Sequence, residues 1–297
     1  MHVLITGAGG TVGRFITRKM LADGHHVTAL GRRPPEDLPT AFSRFDLADP
    51  IPELPQADAL IHCALSHEPG KFRGGEGNDP DRFLRLNVEG TAILFKAARQ
   101  VGCTQAVFLS SRAVYGDHRA GELLRETDLA TPDTLYGQAK LAGEAILEGL
   151  TGSEFRGTAL RVTGVYGRVP GLETHKWSGL FKAFVSGETV EPRRATEVCG
   201  QDLADAVSIV LAEGTRQTCR LAQFDVLNVS DLIIDRRELL EELKTLCGCT
   251  GTLPGPAEAM PGVMETAKLQ ALGWRPAGRD GLRDFLKTCC ADLQVTN

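Results

Sequence analysis

A doubly wound α/β fold is predicted for this chain of 297 residues on three observations. Short runs rich in Val, Ile and Leu alternate with segments whose apolar residues recur at intervals of three and four. Each run ends near a glycine or a polar turn. Between the first run and the first helical pattern, ITGAGGTVGR at 5–14 holds four glycines in ten residues. Strands of this composition joined by helical crossovers form a parallel sheet covered on both faces.

Taken in order, the expected strands are HVLIT (2–6), HVTAL (26–30), ALIHCAL (59–65), AVFLS (106–110) and TALRV (158–162). Helical patterns fill VGRFITRKMLADG (12–24), NVEGTAILFKAARQVG (87–102) and LYGQAKLAGEAILEGL (135–150). In the second of these Ile93, Leu94, Ala97, Ala98 and Val101 share one face. After Val165 the rhythm breaks, and 166–194 mixes Gly, Pro, Trp and charge without a strand period, which reads as a binding excursion. The α/β pattern returns with QDLADAVSIVLAEG (201–214) and FDVLNVS (224–230). The tail is helical, through DRRELLEELKTLC (235–247), METAKLQALGW (264–274) and GLRDFLKTCCADL (281–293). The division expected is a dinucleotide-binding domain over 1–165, rejoined by 201–230, and a smaller, mostly helical substrate-binding region from 166–200 and 231–297.

Composition excludes several classes. Hydrophobic residues at 42% and charged residues at 24% are ordinary for a globular chain, and no apolar run approaches the ~18 residues that span a bilayer. A net charge of −5 supplies no broad basic field for nucleic acid. The start MHVLITG lacks a basic region before a small-residue cleavage site, so a cytoplasmic protein is expected. Eight cysteines are spread without a CxxC pair, so reduced thiols are expected. No His/Cys cluster has zinc-site spacing, and no metal is expected.

Gly7, Gly10 and Gly13 follow the first strand and open the first helix. Alone, the GxxGxxG spacing serves helix packing equally well. At a strand-to-helix turn it aims the N–H groups of the first turn, at Thr11, Val12 and Gly13, and the positive helix end at a diphosphate, in the manner of a Rossmann-type dinucleotide site. The second strand ends in LGRRPP, so Arg32 and Arg33 stand where a carboxylate would bind the ribose hydroxyl of NAD. Unless they are merely solvated, these arginines point to NADP as the cofactor, with NAD as the alternative.

The motifs TGAGGTVG (6–13), FDLAD (45–49), IHCAL (61–65), NVEGT (87–91), LSSRAVYG (109–116), YGQAK (136–140), LRVTGVYG (160–167), QDLADA (201–206) and LGWRP (272–276) cover nearly the whole chain. Together they resemble the extended short-chain dehydrogenase/reductase family, which includes NAD(P)-dependent sugar epimerases and dehydratases. The resemblance implies that Asp46, with Leu47 beside it, contacts the adenine, that Cys63, Ala64 and Leu65 run beside the cofactor, and that Val165 borders it. By chemistry alone Asp46 serves a surface turn as well, and Asn87 reads as a helix-start residue. The family likeness has Asn87 supporting the site.

YGQAK sets Tyr136 and Lys140 one helical turn apart on one face. An ammonium near a phenol favours the phenolate and lowers the tyrosine pKa from about 10, which suits proton exchange. By resemblance Ser111 is the third member, bonding the substrate oxygen, and Lys140 also holds the nicotinamide ribose. Hydride would pass between the nicotinamide and an alcohol or carbonyl carbon.

Departures from the family narrow the substrate. Arg112 and Ala113 stand where dehydratase relatives carry Asp-Glu, which disfavours dehydration. Gly164 replaces the asparagine of LRxxNVYG, and Ala195 the arginine before xDLA, both of which grip nucleotide diphosphates in relatives, although Arg193 and Arg194 lie nearby. A smaller or differently shaped sugar-like or sugar-acid substrate is therefore expected. The glycine-rich, charged loop at 66–83 either borders the site or is a surface excursion. His67, Arg73, Arg112, His175 and Trp177 are the candidate substrate contacts, with Lys71, His118 and Lys176 beside them. The expectation is an NADP-dependent oxidoreductase that dimerises through the helices near Asn87 and Tyr136. A nucleotide-sugar epimerase with tightly held NAD and a non-catalytic NADPH-sensing regulator are the alternatives.

Overall fold

The computed structural model describes residues 1–49, 53–68, 71 and 75–294. Its strands are β1 (His2–Thr6), β2 (His26–Gly31), β3 (Ala41–Arg44), β4 (Ala59–His62), β5 (Gln105–Ser111), β6 (Leu123–Leu124), β7 (Arg156–Val162), β8 (Gly164–Tyr166), β9 (Arg194–Cys199), β10 (Phe224–Val229), β11 (Leu232–Asp235) and β12 (Val263–Met264). The helices are α1 (Thr11–Ala22), α2 (Pro80–Leu84), α3 (Gly90–Gln100), α4 (Leu135–Leu150), α5 (Ser178–Val185), α6 (Gly200–Gly214), α7 (Arg236–Cys247), α8 (Ala267–Ala271) and α9 (Gly278–Gln294). Seven strands form one parallel sheet in the order β3-β2-β1-β4-β5-β7-β10. Chain order reverses between β1 and β4, which opens a crevice at the carboxyl ends of those strands.

Two-sided burial explains why these strands read as continuous apolar runs. Val3, Ile5, Ile61, Val107, Leu109 and Leu160 face one core with Phe15, Ile16 and Met20 of α1 and Val207 and Leu211 of α6. Their neighbours Leu4, Leu60, Phe108 and Ala159 face the other core with Leu94 and Phe95 of α3 and Leu147 of α4. Adjacent residues point to opposite faces, and each fully buried Leu or Ile stabilises the fold by roughly 1.5–3 kcal/mol.

A third core lies apart from the large sheet. It packs Tyr166, Trp177 and the α5 pair Phe181 and Phe184 against Leu239, Leu240 and Leu243 of α7 and Leu282, Phe285 and Leu286 of α9. Beside it, β8, β9 and β11 form a separate three-stranded sheet, with β9 parallel to β8 and antiparallel to β11.

The excursion at 166–194 contains a helix, α5, in the part expected to be mostly helical, and its buried phenylalanines stand three apart. Three points of the sequence reading need correction. The edge strand β3, AFSR, was missed because none of its residues is buried and it carries no apolar run. Asn87 does not start a helix: α2 is capped by Asp79, which accepts the Arg82 N–H at 2.8 Å, and Asn87 sits in a π-helical turn, Arg85–Glu89, between α2 and α3. Not all thiols are reduced either, since Cys247 at the end of α7 forms a disulfide with Cys290 of α9, Cα to Cα 5.0 Å. Among the described residues no helix is long and apolar enough to cross a membrane.

The disulfide ties two helices across a sequence separation of 43 and shrinks the unfolded ensemble. Reduction is expected to lower stability by about 2–4 kcal/mol. Thermal melts with and without reductant, set against a Cys290→Ser variant that should not respond, measure the effect.

Candidate active site

The glycine turn is built as a cradle. Gly7 adopts φ +68°, a conformation that favours glycine, and a β-carbon there would come to a tight 3.0 Å from the Ala64 nitrogen. A β-carbon on Gly13 would overlap the Gly7 carbonyl, so α1 can lie against the turn only with glycine at that place. Gly10 caps α1 without a side-chain hydrogen bond, which leaves the N–H groups of Thr11, Val12 and Gly13 as helix-end donors. These open donors, together with the close approach of Ala64, fit a dinucleotide diphosphate at the positive end of α1.

Strand ends surround this cradle. The Gly7 N–H donates to Leu30 at 3.3 Å, and the Phe45 N–H donates to Gly31 at 2.9 Å, which brings the ends of β1, β2 and β3 together. Arg32 and Arg33 leave from β2 and are exposed. Asp46 leaves from β3 and accepts the Ala48 N–H at 3.0 Å, and Leu47 beside it is buried. Val165 lies on β8, in the smaller sheet, packed against the core on the α1 side.

A directional hydrogen-bond chain fixes the strand beside the cradle. The Thr6 hydroxyl accepts the N–H groups of Cys63 and Ala64, both at 3.1 Å, so its own proton goes to His62 Nδ1 at 2.7 Å. His62 Nε2 then donates to Thr91 at 3.0 Å, and Thr91 donates to the Asn87 carbonyl at 2.7 Å. The imidazole in this chain is neutral, since burial above all, aided by the charge of Lys140, pushes its pKa down to about 3. Asn87 closes the arrangement: its Oδ1 accepts the Ser66 N–H at 2.7 Å and its Nδ2 donates to the carbonyls of Ser66 at 2.8 Å and Phe83 at 2.9 Å. Burial also pushes the Cys63 thiol up to about 12, which keeps it protonated.

Tyr136 and Lys140 lie on α4, whose first turn is fixed by Thr134, accepting the Gly137 N–H at 3.1 Å. Gly137 lets that turn pack on the Ala113 carbonyl, just beyond Ser111. Lys140 is 5% exposed and its Nζ donates to the Leu109 carbonyl at 2.7 Å. The ammonium stands 5.9 Å from the centre of the Tyr136 ring and 4.8 Å from that of Phe108. Burial holds its pKa down to about 8, against the pull of Glu144. Ser111 ends β5, and its Oγ accepts the Ala113 N–H at 3.2 Å, a contact that leaves the hydroxyl proton to be donated. One crevice gathers Ala64, Leu65, Asn87, Thr91, Phe108, Ala139 and Lys140.

Sequence reasoning missed the support beneath these groups. Ser110 points away from Ser111 and hydrogen-bonds Glu144, one turn beyond Lys140 on α4. Glu144 is buried and held by both edges of the Arg161 fork, Nη2 at 2.7 Å and Nε at 3.1 Å. Arg161 lies 4.8 Å over the Tyr115 ring, and the Tyr115 hydroxyl donates to Asn228 at 2.8 Å. Arg14, the residue after Gly13, is likewise buried, paired with Asp37 and donating to the Gly9 carbonyl at 3.0 Å. An acid one turn after YxxxK was the available signal for Glu144, whereas nothing local marks Arg161 as its partner.

The substrate candidates scatter. Trp177 is a core residue, 7% exposed and stacked on Tyr166 at 5.1 Å. His175 packs between Phe181 and Phe285, with its Nδ1 accepting the Trp177 N–H at 3.2 Å. Arg112 directs its Nε to the Gly262 carbonyl and its Nη1 to Asp117, both at 3.1 Å, tying β5 to the chain before β12. The Nδ1–H of His67 donates to the Glu68 carbonyl at 2.6 Å, and Arg73 lies outside the described residues.

Known proteins are similar to this chain over much of its length. A dTDP-6-deoxy-L-talose 4-dehydrogenase (NAD(P)(+)) from Kitasatospora kifunensis is 26% identical over 96% of this chain and 93% of its own length. Methionine adenosyltransferase 2 subunit beta from Pongo abelii is 32% identical over 58% of this chain, and the match spans only 49% of that protein. Among solved structures, MoeE5 in complex with UDP-glucuronic acid and NAD superposes with a TM-score of 0.78 at 27% identity, covering all of both chains. A UDP-glucose 4-epimerase from Thermus thermophilus, in complex with NAD, gives 0.75 at 25% identity, over 96% of this chain and 98% of that one. Residues 3–220 match the NAD dependent epimerase/dehydratase family, and the chain belongs to it.

Proposed function

We propose that the protein is an NADP-preferring oxidoreductase acting on an alcohol or carbonyl carbon of a sugar-like substrate, with Ser111, Tyr136 and Lys140 as its reacting centre. The observation that carries this reading is Lys140, a lysine buried against a tyrosine ring at the carboxyl edge of the sheet with its pKa drawn down to about 8. Burying an ammonium is costly, and such perturbed groups in a crevice mark functional sites. The near full-length relative that is named as a dehydrogenase supports redox chemistry, and the Thermus thermophilus UDP-glucose 4-epimerase leaves the epimerase alternative standing. The match to methionine adenosyltransferase 2 subunit beta, a subunit by name, keeps the regulator reading as the second choice.

In this reading the cradle of Gly7, Gly10 and Gly13 holds the diphosphate, Arg32 and Arg33 reach the 2′-phosphate, and Asp46 and Leu47 border the adenine. Cys63, Ala64, Leu65 and Val165 line the path to the nicotinamide, and Asn87 holds that path in place. The bound dinucleotide supplies or accepts the hydride. Ser111 polarises the substrate oxygen through a hydrogen bond from its hydroxyl, Tyr136 exchanges the proton on that oxygen, and the Lys140 ammonium favours the phenolate and orients the ribose. The same reading pairs two copies through α3 and α4. Size-exclusion elution at twice the 32.0 kDa chain mass is expected, and elution at the single-chain mass counts against the pairing.

Tyr136→Phe is expected to lower turnover by about 10²–10⁴-fold, the usual share of a general acid–base group. Fluorescence titration should find NADPH bound equally well by the variant and the wild type, and more tightly than NADH by both. Retained turnover would overturn the assignment. Because Lys140 acts as a cation and loses its proton near pH 8, kcat/KM is expected to fall as pH rises through that value. Lys140→Arg, which stays charged, should move this falling limb to higher pH in a pH–rate profile.

A further inference from the structure

A second charged pair stands at the carboxyl edge of the sheet. Lys176, from the segment preceding α5, donates to the Glu197 carboxylate on β9. The Glu197 side chain is 5% exposed and that of Lys176 34%, so the carboxylate is buried and the ammonium is at the boundary. Both head groups occupy the space that a β-carbon on Gly164 would take, and Gly164 is the register partner of Glu197. Gly164 follows closely on Val162, which pairs with Ser111. From strand dimensions, the Gly164 and Ser111 backbones lie within roughly 12 Å of each other.

Replacing a buried ion pair by packed apolar groups is often neutral or stabilising, so its presence calls for another explanation. Burial pushes the Lys176 ammonium down and the Glu197 carboxyl up from their ordinary values, and the charge of each opposes the shift of the other. Arg193, exposed and screened by water, adds only a weaker positive charge to the surroundings of both. An anion arriving at this spot would meet a carboxylate as well as an ammonium, and attraction and repulsion would largely offset. A group with adjacent hydroxyls meets a donor and an acceptor side by side.

We infer that the Lys176–Glu197 pair determines substrate specificity by receiving an uncharged, hydroxyl-bearing part of the substrate. The ammonium donates to one hydroxyl oxygen and the carboxylate accepts from the next hydroxyl. Gly164 is then the residue that makes room for the pair. This inference rests on the reading that Ser111, Tyr136 and Lys140 form the reacting centre, and it refines which substrates that centre takes.

The test uses the full chain with NADPH present and measures calorimetric binding of two neutral and acid pairs, D-glucose with D-gluconate and UDP-glucose with UDP-glucuronic acid. The wild type should favour the neutral member of at least one pair. Glu197→Gln leaves the ammonium uncompensated and should shift the acid-to-neutral affinity ratio about tenfold toward the acid, while Lys176→Met should shift it about tenfold the other way. Opposite shifts are not produced by simple loss of packing. Ratios within about threefold of the wild type, shifts of the same sign in both variants, or no binding of any probe at about 10 mM overturn the inference. Should either charge variant melt early, Gly164→Ala keeps both charges while forcing the pair apart. It is expected to weaken the neutral probes about tenfold, and unchanged affinity overturns the inference. Retained turnover in Tyr136→Phe would sink the reacting centre without altering these binding ratios, so the two failures are distinguishable.

Discussion

Helix α4 carries two charges of opposite sign into the protein interior one turn apart, and much of the surrounding structure serves to make that tolerable. Lys140 is held by a backbone carbonyl and two aromatic rings. Glu144 is held by Ser110 and by both edges of Arg161. Arg161 leaves Nη1 without a partner but spreads its guanidinium over Tyr115, where the ring face offsets part of the lost hydration. Through the Tyr115 hydroxyl and Asn228, whose amide donates to the carbonyls of Leu124 and Glu265, the support reaches β10 and the chain around β6 and β12. A buried ionic network of this kind is costly wherever a partner is withdrawn, which couples the position of α4 to three sheet strands.

On the opposite side of the crevice no net charge is needed. The chain from Thr6 through His62 and Thr91 to Asn87 consists of neutral groups with one proton arrangement open to it, because the two backbone N–H groups on Thr6 leave its hydroxyl only the role of donor to the imidazole. A neutral histidine beside a buried ammonium adds no like-charge repulsion, so the two halves of the crevice are electrostatically compatible.

What could be read from the residues follows what each layer of the fold exposes. The strands β1, β2, β4, β5, β7 and β10 were legible because burial on both faces demands unbroken Val, Ile and Leu. Strand β3 was not, because an exposed edge strand imposes no such demand. The Tyr136–Lys140 relation was legible because helical spacing alone sets it. Arg161 and Glu144 meet between β7 and α4, His62 meets Thr6 and Thr91 from three segments, and Cys247 meets Cys290 across two helices. These are tertiary contacts with no local periodicity to betray them. Trp177 and His175 looked like ligand contacts because aromatic and imidazole side chains in an irregular stretch carry no sign of whether they face a pocket or a core. Here they helped to build a core that the rhythm of the chain had not announced.

The amide of Asn87 grips Ser66 from both sides of its peptide, donor to carbonyl and acceptor to N–H, from a wound-out turn of its own helix. Such a two-point grip works like a rivet at the root of the loop that follows. A change farther along the chain has to pass these two bonds before it reaches the strand lining the crevice. The loop can therefore be lengthened, shortened or rewritten while the floor of the cavity stays put, which lets one chassis be refitted for different cargo.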